Sequence, residues 1–362
     1  MNKDNEKIKL SFAAINQVIE NNVPSAEEKE IRGQNFITFG TNNKFPEYLY
    51  NLYLNVTTLN SIINGCVDYI CGDEIISNIP NISSDKLADI VKDIALSYLI
   101  SGNVFVSVLR NKIGDVYSIE NLDFRFVRSN KDNTVLYYSE DFLSKSFGRC
   151  KCIAYPKFGK DDLKNANSIY FYKNNKFNVY GLPIWNGAIK CCEIEKSIDE
   201  YHLNNINSGF MGSVLVSLNN GVPEDSVKEE IEKNFNEKFC GKENSGRVVI
   251  SYSEDKEHAA EIKELKTEDF SERYDSLAKR SKEGIFTSFR ATPSLFGIPS
   301  DDKGFSQEQY KDQYALFYTS VIKPMQKTIT KIINDIFGDN SIEIKPFVVG
   351  FESGKTTDEQ VD

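Results

Sequence analysis

The sequence predicts an α+β protein whose first half combines helices with antiparallel strands and whose second half consists mainly of long helices. Three observations support this class. Apolar residues recur at helical spacing from Tyr48 to Ile70, and after Gly102 the pattern changes to period two with β-branched and aromatic residues. Three long helical stripes then occupy residues 183–208, 270–289 and 307–337.

Length and composition favour an ordinary soluble protein with a sizeable core. The chain has 362 residues, of which 40% are apolar and 27% charged. Its formal net charge of −10 argues against general nucleic-acid binding, which depends on cations that neutralise phosphates. No apolar run is long enough for a membrane span, and the start, MNKDNEKIKLSF, lacks the apolar core of a signal peptide.

The first half is predicted to be a mixed unit. Residues 1–35 are polar, which favours a mobile arm or a short helix. A turn at Asn42-Asn43 precedes one helix that continues to Gly72, and a second helix covers residues 85–101. Antiparallel strands follow, in the segments NVFVSVLRNKIGDVYSIE, RFVRSNKDNTVLYYS, CKCIAYP and IYFYKNNKFNVYG, the last turning at Asn174-Asn175.

The second half is predicted to contain three long helices. The first begins at Pro183 and runs to residue 208, and the second covers 268–290. The third covers 307–337 and should kink at Pro324, whose ring removes one backbone hydrogen bond. Between the first two helices lie a strand (SVLVSL), a turn, a helix over 224–240 and a strand (RVVISYS), and SIEIKPFVV forms a last strand.

A glycine-rich segment near the end resembles a phosphate-binding loop. It runs from Gly350 through Gly354-Lys355 to Thr356, but three residues separate the glycines where the phosphate loop has four. Only six residues follow, too few for a helix and the acidic strand that would hold magnesium. We therefore expect no nucleotide site, and a nucleotide-binding enzyme is kept only as an alternative.

No other residues form a catalytic set, so the sequence predicts neither an enzyme nor a cofactor. His202 is interpreted as structural and His258 as solvated, and no nucleophile elbow, zinc-protease motif or dinucleotide fingerprint occurs. Trp185 is interpreted as a packing anchor. The pairs Asp161-Asp162 and Asp301-Asp302 are interpreted as solvated. The seven cysteines are expected to be reduced thiols, with metal binding the alternative: Cys66, Cys71, Cys150, Cys152, Cys191, Cys192 and Cys240.

The segment ATPSLFGIPS, residues 291–300, separates the second and third long helices. Pro293 and Pro299 flank a short apolar run, and the acidic pair Asp301-Asp302 follows. A single compact domain has little use for an apolar loop that is flanked by prolines and followed by charged residues. A ring of copies that lines a central space would use one.

Three segments, taken in order, resemble the portal proteins of tailed bacteriophages, of the shorter type. They are FGTNNKFPEYLYNLYLNVTTLNSIINGCVDYICGDE; VYGLPIW followed by NSGFMGSVLVSL; and EGIFTSFRATPSLFGIPS followed by FSQEQYKDQYALFYTSVIKPMQKTIT. The resemblance extends from about Phe36 to Phe337. An intracellular scaffold unrelated to phages remains a further alternative.

The resemblance implies a portal-protein fold and a ring of copies, usually twelve, at one vertex of the capsid. Double-stranded DNA would pass through the ring during packaging and ejection, and the partners would be the major capsid protein, the terminase and a head–tail adaptor. The protein would be part of the virion, assembled in the host cytoplasm, without membrane contact. The implied divisions are an N-terminal arm (1–35), a mixed wing (36–182), stem helix 1 (183–209), a small clip (210–267), stem helix 2 (268–290), a tunnel loop (291–306), a long kinked helix (307–337), and a C-terminal strand and tail (338–362).

The resemblance also implies two sets of functional residues. In the tunnel loop, Leu295, Phe296 and Ile298 would pack against neighbouring loops, and Asp301, Asp302 and Lys303 would face DNA. The full loop set is Pro293, Ser294, Leu295, Phe296, Gly297, Ile298, Pro299, Asp301, Asp302 and Lys303. The clip residues that would contact terminase or adaptor are Asn219, Asn220, Gly221, Glu243, Asn244 and Arg247. Since about 25 residues follow Phe337, a helical crown is expected to be absent or minimal.

Overall fold

A computed structural model gives the fold of the chain. The described residues are 25–31, 33–143, 150–159, 165–174, 178–207, 214–218, 223–224, 227–228, 230–231, 248–252, 270–298 and 307–347. Expectations for the segment from Gly350 to Thr356, for Asp161-Asp162, for His258 and for Cys240 lie outside this part of the chain.

The longest helices lie where the sequence predicts them. A π-helical turn, Tyr318–Ile322, joins the helix Gln307–Phe317 to the helix Lys323–Phe337. Short helical pieces at 227–228 and 230–231 fall inside the predicted helix 224–240. The α-helices are α1 (Phe45–Asn55), α2 (Thr57–Cys71), α3 (Ser84–Ser101), α4 (Ile189–Asn207), α5 (Phe270–Phe289), α6 (Gln307–Phe317) and α7 (Lys323–Phe337).

The strands form small sheets. The described strands are β1 (Glu28–Ile31), β2 (Gln34–Ile37), β3 (Glu74–Ser77), β4 (Asn103–Arg110), β5 (Val116–Leu122), β6 (Val127–Ser129), β7 (Val135–Tyr138), β8 (Ile153–Pro156), β9 (Asn167–Lys173), β10 (Val214–Leu218), β11 (Val248–Tyr252) and β12 (Ile342–Lys345). One sheet has the order β5-β4-β9 and another the order β6-β7-β8, and all neighbours in them are antiparallel. The remaining strands form the antiparallel pairs β1–β2 and β3–β12 and the parallel pair β10–β11.

The predicted change from helices to strands at Gly102 is confirmed. Gly102 ends α3 in a left-handed conformation with φ of 72°, and its N–H bonds to the carbonyl of Tyr98. β4 follows and pairs with β5 on one side and β9 on the other, so Val106 lies opposite both Asn121 and Tyr170. As the central strand, β4 is largely buried, in agreement with its β-branched and aromatic composition.

One hydrophobic core connects the N-terminal helices, the β4 sheet and the C-terminal helices. Trp185 is fully buried in this core, and its indole N–H donates to the carbonyl of Leu99 at 2.9 Å. The interpretation of Trp185 as a packing anchor is therefore confirmed. Phe105 of β4 and Phe171 of β9 stack within the same core, with ring centroids 4.5 Å apart.

Two helix predictions were wrong in detail. The helix expected to be continuous to Gly72 is broken at Val56, which is extended and fully buried between α1 and α2. The helix expected to start at Pro183 starts at Ile189, after a 3₁₀ turn over Asn186–Ala188. In both places, apolar spacing continues across a break that tertiary packing imposes.

Three further differences concern strands and turns. Residues 28–31 and 34–37 form the antiparallel pair β1–β2, whereas residues up to 35 were expected to be a mobile arm or a short helix. β3 was not predicted, and residues 178–180 form bends, so no return strand follows β9 there. The irregularity expected at Pro324 takes the form of the π-helical turn, in which Lys323 N–H bonds to the carbonyl of Tyr318 five residues earlier.

The predicted C-terminal strand is confirmed as β12, which pairs with β3 next to the end of α2. Gly72 permits this approach. It has φ of 66°, and a Cβ atom at this position would lie 2.1 Å from the carbonyl oxygen of Lys345. The sheet therefore brings the last described residues back against α2.

Candidate functional site

The segment between α5 and α6 begins with a compact turn rather than an extended loop. Pro293–Phe296 is a single 3₁₀ turn, closed by Gly297 in a left-handed conformation with φ of 80°. The N–H of Ile298 bonds back to the carbonyl of Pro293 at 3.2 Å. We call residues 292–298 the loop base. Pro299, Asp301, Asp302 and Lys303 lie outside the described residues.

Tyr69 of α2 fixes the loop base to the core. Its hydroxyl donates to the carbonyl of Leu295 at 3.0 Å, and the Leu295 side chain is buried. Burial, followed by the nearby Tyr310, raises the pKa of Tyr69 well above its ordinary value. The phenol therefore stays protonated and keeps donating this bond throughout the neutral range.

Phe296 packs into an aromatic cluster contributed by three helices. Its ring centroid lies 6.0 Å from Tyr69 of α2, 6.0 Å from Phe286 of α5 and 5.9 Å from Phe317 of α6. Two of these contacts are edge-to-face, a geometry that stabilises aromatic pairs by more than the burial of their surface alone. The loop base therefore acts as a joint that holds α2, α5 and α6 together.

A glycine in the middle of α2 makes room for this ring. A Cβ atom at Gly65 would lie 2.7 Å from Cε1 of Phe296, a distance that real Cβ contacts do not show. Gly65 is therefore required for close approach, although it lowers helix propensity. A hydrogen bond of 2.7 Å from the Ser294 hydroxyl to Gln313 ties the other side of the loop base to α6.

These contacts differ from the packing expected for the apolar loop residues. Leu295 and Phe296 were expected to contact loops of neighbouring copies, but both pack inside their own chain. Among the described apolar side chains of the loop base, Ile298 is exposed, at 42% of its surface, and Pro293 is also exposed. The exposed end of the loop base thus leads toward Asp301, Asp302 and Lys303.

The two long helices α4 and α5, which precede and follow residues 210–267, pack against each other. Tyr201 of α4 stacks on Tyr274 of α5 with ring centroids 4.8 Å apart, and His202 contacts the same ring edge-to-face. At the other end of the pair, a Cβ atom at Gly284 would lie 2.6 Å from Sγ of Cys191. His202 therefore has the structural contact that was expected of it.

Five apolar side chains on this helix pair remain exposed. Four are on α4 and one is on α5, and each is more than a third exposed in the isolated chain. They are Ile194 (38%), Tyr201 (42%), Leu203 (58%), Ile206 (59%) and Leu277 (41%). Leu203 and Ile206 are three positions apart and therefore lie on the same face of α4, and adjacent exposed apolar groups are typical of a protein–protein interface.

The predicted strands SVLVSL and RVVISYS are confirmed as β10 and β11, which pair in parallel with Val216 opposite Ile250. A parallel pair requires a crossover connection, in agreement with the predicted helix between these strands. The six clip residues proposed for contact with other proteins lie outside the described part of the chain: Asn219, Asn220, Gly221, Glu243, Asn244 and Arg247.

Sequence reasoning missed the residues that position the loop base, namely Tyr69, Gly65 and Gln313. The one usable signal was Gly65, a glycine within an otherwise regular apolar helix. Within the described part of the chain, no three histidine, cysteine or acidic side chains come together as metal ligands. The six cysteines described are free thiols, and no described helix is long and apolar enough to span a membrane.

Comparisons with known proteins give one family and several solved structures. Residues 75–358 match the family model described as phage portal protein. The chain resembles a chain from the virion of a native gene transfer agent particle, with 14% identity, a TM-score of 0.51, and coverage of 83% of each chain. It resembles equally a chain from the neck of an empty gene transfer agent particle, with 14% identity, a TM-score of 0.51, and coverage of 83% of this chain and 84% of that one.

A third solved structure that matches is a portal protein of the HK97 phage family from Corynebacterium diphtheriae. It shares 10% identity with a TM-score of 0.48, covering 81% of this chain and 93% of that one. No curated protein sequence matches the chain. At these identities, the gene transfer agent structures establish a shared fold.

Proposed function

The chain belongs to the phage portal protein family, and from this membership we propose that its copies form a closed ring through which double-stranded DNA passes in packaging and ejection. As a portal protein it connects the phage head to the tail. The family match over residues 75–358 is the observation that carries this conclusion, because it includes α4, α5, the loop base, α6, α7 and the C-terminal strand.

The proposed ring has twelve subunits, the usual number in this family. Two neighbouring apolar side chains of α4, Leu203 and Ile206, support a contact between subunits, since each is more than half exposed in the isolated chain. Obligate interfaces are larger and more apolar than transient ones. In the proposal, this face of α4 is covered by the helix pair of the neighbouring subunit.

The loop between α5 and α6 is proposed to project into the channel. The joint formed by Leu295 and Phe296 with Tyr69 supports this role, because a rigid base can present the residues that follow Ile298 in a defined direction. Asp301, Asp302 and Lys303 are proposed to face the DNA. Acidic groups there disfavour adhesion of the phosphate backbone, which suits a conduit.

The remaining partners are proposed from the family. The segment between α4 and α5 is proposed to meet the terminase during packaging and a head–tail adaptor afterwards, and the wing to meet the major capsid protein. The protein would assemble in the host cytoplasm and remain at the portal vertex of the virion. No observation favours the alternatives of a nucleotide-binding enzyme or an unrelated scaffold.

The test is to image the purified protein and to measure the mass of its assembly. Negative-stain electron microscopy is expected to show rings with a central hole, and native mass spectrometry a species near twelve times 41.1 kDa. A stable monomer without rings, at concentrations where the chain is folded by circular dichroism, would contradict the proposal. ATP binding that is lost in Lys355→Ala would instead support the nucleotide-binding alternative.

A further inference from the structure

A cavity of about 320 Å³ lies where α2, α4, α5 and the loop base meet. Polar groups of three helices line it: Thr57, Thr58 and Ser61 of α2, Glu195 and Asp199 of α4, and Lys282 of α5. Phe296 and Ile298 of the loop base close one side. Ile198, Ala278 and Phe286 complete the lining, so the cavity beside the loop base has apolar walls with polar groups between them.

Glu195 is the buried group of this cavity. Its side chain is on a residue only 5% exposed, and one carboxylate oxygen accepts a hydrogen bond from the N–H of Thr58 at 3.0 Å. Glu195 thus caps the start of α2, where the N-cap residue Val56 has no side-chain acceptor to offer. The same carboxylate anchors α4 to α2.

The second carboxylate oxygen of Glu195 has no such bond. Oε2 is buried and has no hydrogen-bond partner among the residues that the structure describes. An ionised carboxylate that leaves water loses solvation that a partner must replace. Since this oxygen belongs to a side chain that lines the cavity, the missing partner has room to bind there.

The other groups in the cavity that could bind a cation do so through oxygen atoms. Asp199 follows Glu195 by one helical turn, and Thr57 and Ser61 add two hydroxyl groups from the first turns of α2. Carboxylate and hydroxyl oxygens are ligands for hard cations. With two carboxylates and no third, the set fits an ion that keeps several water molecules, as Mg²⁺ does.

Lys282 is the group that competes for this position. It is exposed on α5 and lines the cavity, but no ion pair within 4 Å joins it to Glu195 or Asp199 in the described part of the chain. The long apolar stem of a lysine allows its ammonium group to remain in water. Among the described residues, the second carboxylate oxygen of Glu195 therefore has neither a hydrogen-bond partner nor an ion pair with Lys282.

We propose that this cavity binds one hydrated divalent cation of the Mg²⁺ type, held by Glu195 and Asp199. Such an ion would neutralise the buried carboxylate and join α4 to α2 beside the loop base. The inference does not depend on the portal role, because it uses only the contacts within one chain.

The test measures Mn²⁺ binding by electron paramagnetic resonance to the purified full-length protein without DNA. Wild type is expected to bind one Mn²⁺ per subunit, displaced by excess Mg²⁺. Glu195→Gln keeps an acceptor for Thr58 N–H but removes the charge, and should weaken binding by about tenfold or more. Glu200→Gln, on the exposed side of the same helix and paired with Lys196, is the matched control and should bind as wild type does.

Two further variants make the result decisive. Asp199→Asn, at an exposed position, should also weaken binding and provides the measurement if Glu195→Gln does not fold. Lys282→Gln should strengthen binding because it removes the competing ammonium group. Equal Mn²⁺ affinity in wild type, Glu195→Gln and Asp199→Asn would overturn the proposal, as would the absence of Mn²⁺ binding in both wild type and Lys282→Gln.

Discussion

Arg128 illustrates at the residue scale how the N-terminal half of the chain is held together. Its side chain is fully buried, and its guanidinium group bonds to uncharged acceptors: the side chain and carbonyl of Asn43 and the carbonyls of Phe124, Arg125 and Val127. Burial lowers the pKa of Arg128 to about 10, which still leaves it charged at neutral pH. One side chain thus donates the hydrogen bonds that several buried carbonyl groups would otherwise receive from water.

Replacing Arg128 by leucine is expected to destabilise the protein strongly. Each buried carbonyl that loses its donor costs about 1–3 kcal/mol, so we expect a loss of about 3 kcal/mol or more in the free energy of unfolding. Urea denaturation measures it. Lys112→Leu, in the exposed turn between β4 and β5, is the control and should change stability by less than about 0.5 kcal/mol. Similar small effects in both variants would contradict the role assigned to Arg128.

Gly65→Ala tests the joint at the loop base. Alanine gains about 1 kcal/mol in helix propensity, but its Cβ would overlap the Phe296 ring, and overpacking of this kind costs about 1–3 kcal/mol. We expect a net loss of stability and faster proteolysis of the loop. The control is Gly187→Ala, where a Cβ atom meets nothing within 4 Å.

A double-mutant cycle separates a specific clash from a general effect on α2. Combining Gly65→Ala with Phe296→Leu removes the overlapping ring, so the two substitutions should cost less together than the sum of the single changes. Strict additivity would mean that Gly65 and Phe296 do not interact, and would remove the argument for the joint.

At the scale of elements, the long helix after the loop shows how a proline is accommodated. Pro324 has no N–H, and in a regular α-helix its ring would clash with the carbonyl of Ser320. The π-helical turn Tyr318–Ile322 stands immediately before it and widens the backbone at this place. The apolar stripe continues on both sides, through Phe317, Val321 and Met325, all buried. The helix therefore keeps one buried face across the irregular turn.

Pro324→Ala should let this turn become regular. An alanine N–H can bond to the carbonyl of Ser320, so we expect slower amide hydrogen exchange over residues 320–328. Mass spectrometry of peptides from this region measures the change. Thr319→Ala, in the same turn and exposed, leaves the proline in place and should not alter exchange. Unchanged exchange in Pro324→Ala would show that packing, and not the proline, imposes the π-helical turn.

At the scale of the whole molecule, the buried and exposed apolar groups have different tasks. The core is continuous from α1 to α7 and includes the loop base, so the described chain has a core of its own. The exposed side chains of Leu203 and Ile206 on α4 are not part of this core. A contact with neighbouring copies is therefore proposed for this face of α4 and not for the buried faces of the helices.

Ile206→Glu is expected to disrupt the ring without unfolding the subunit. A carboxylate buried in an apolar interface has no partner there, which costs several kcal/mol per contact, whereas in the monomer the position is 59% exposed. Native mass spectrometry should show loss of the large species while circular dichroism stays unchanged. Ile113→Glu, at an 82% exposed turn, is the matched control. Intact rings in Ile206→Glu would exclude this helix face from the interface.

The sequence by itself determined the fold class, most helices, the strand pairs after Gly102 and the C-terminal strand, because each rests on local periodicity and on glycines or prolines at element ends. Tertiary structure alone decided the break at Val56, the late start of α4 at Ile189 and the π-helical turn. It also decided that Leu295 and Phe296 belong to their own chain's core, and that Tyr69 and Glu195 bind groups more than a hundred residues away. The physical reason is that apolar spacing shows which face of an element is buried, but not which partner buries it. That partner depends on contacts between segments distant in sequence.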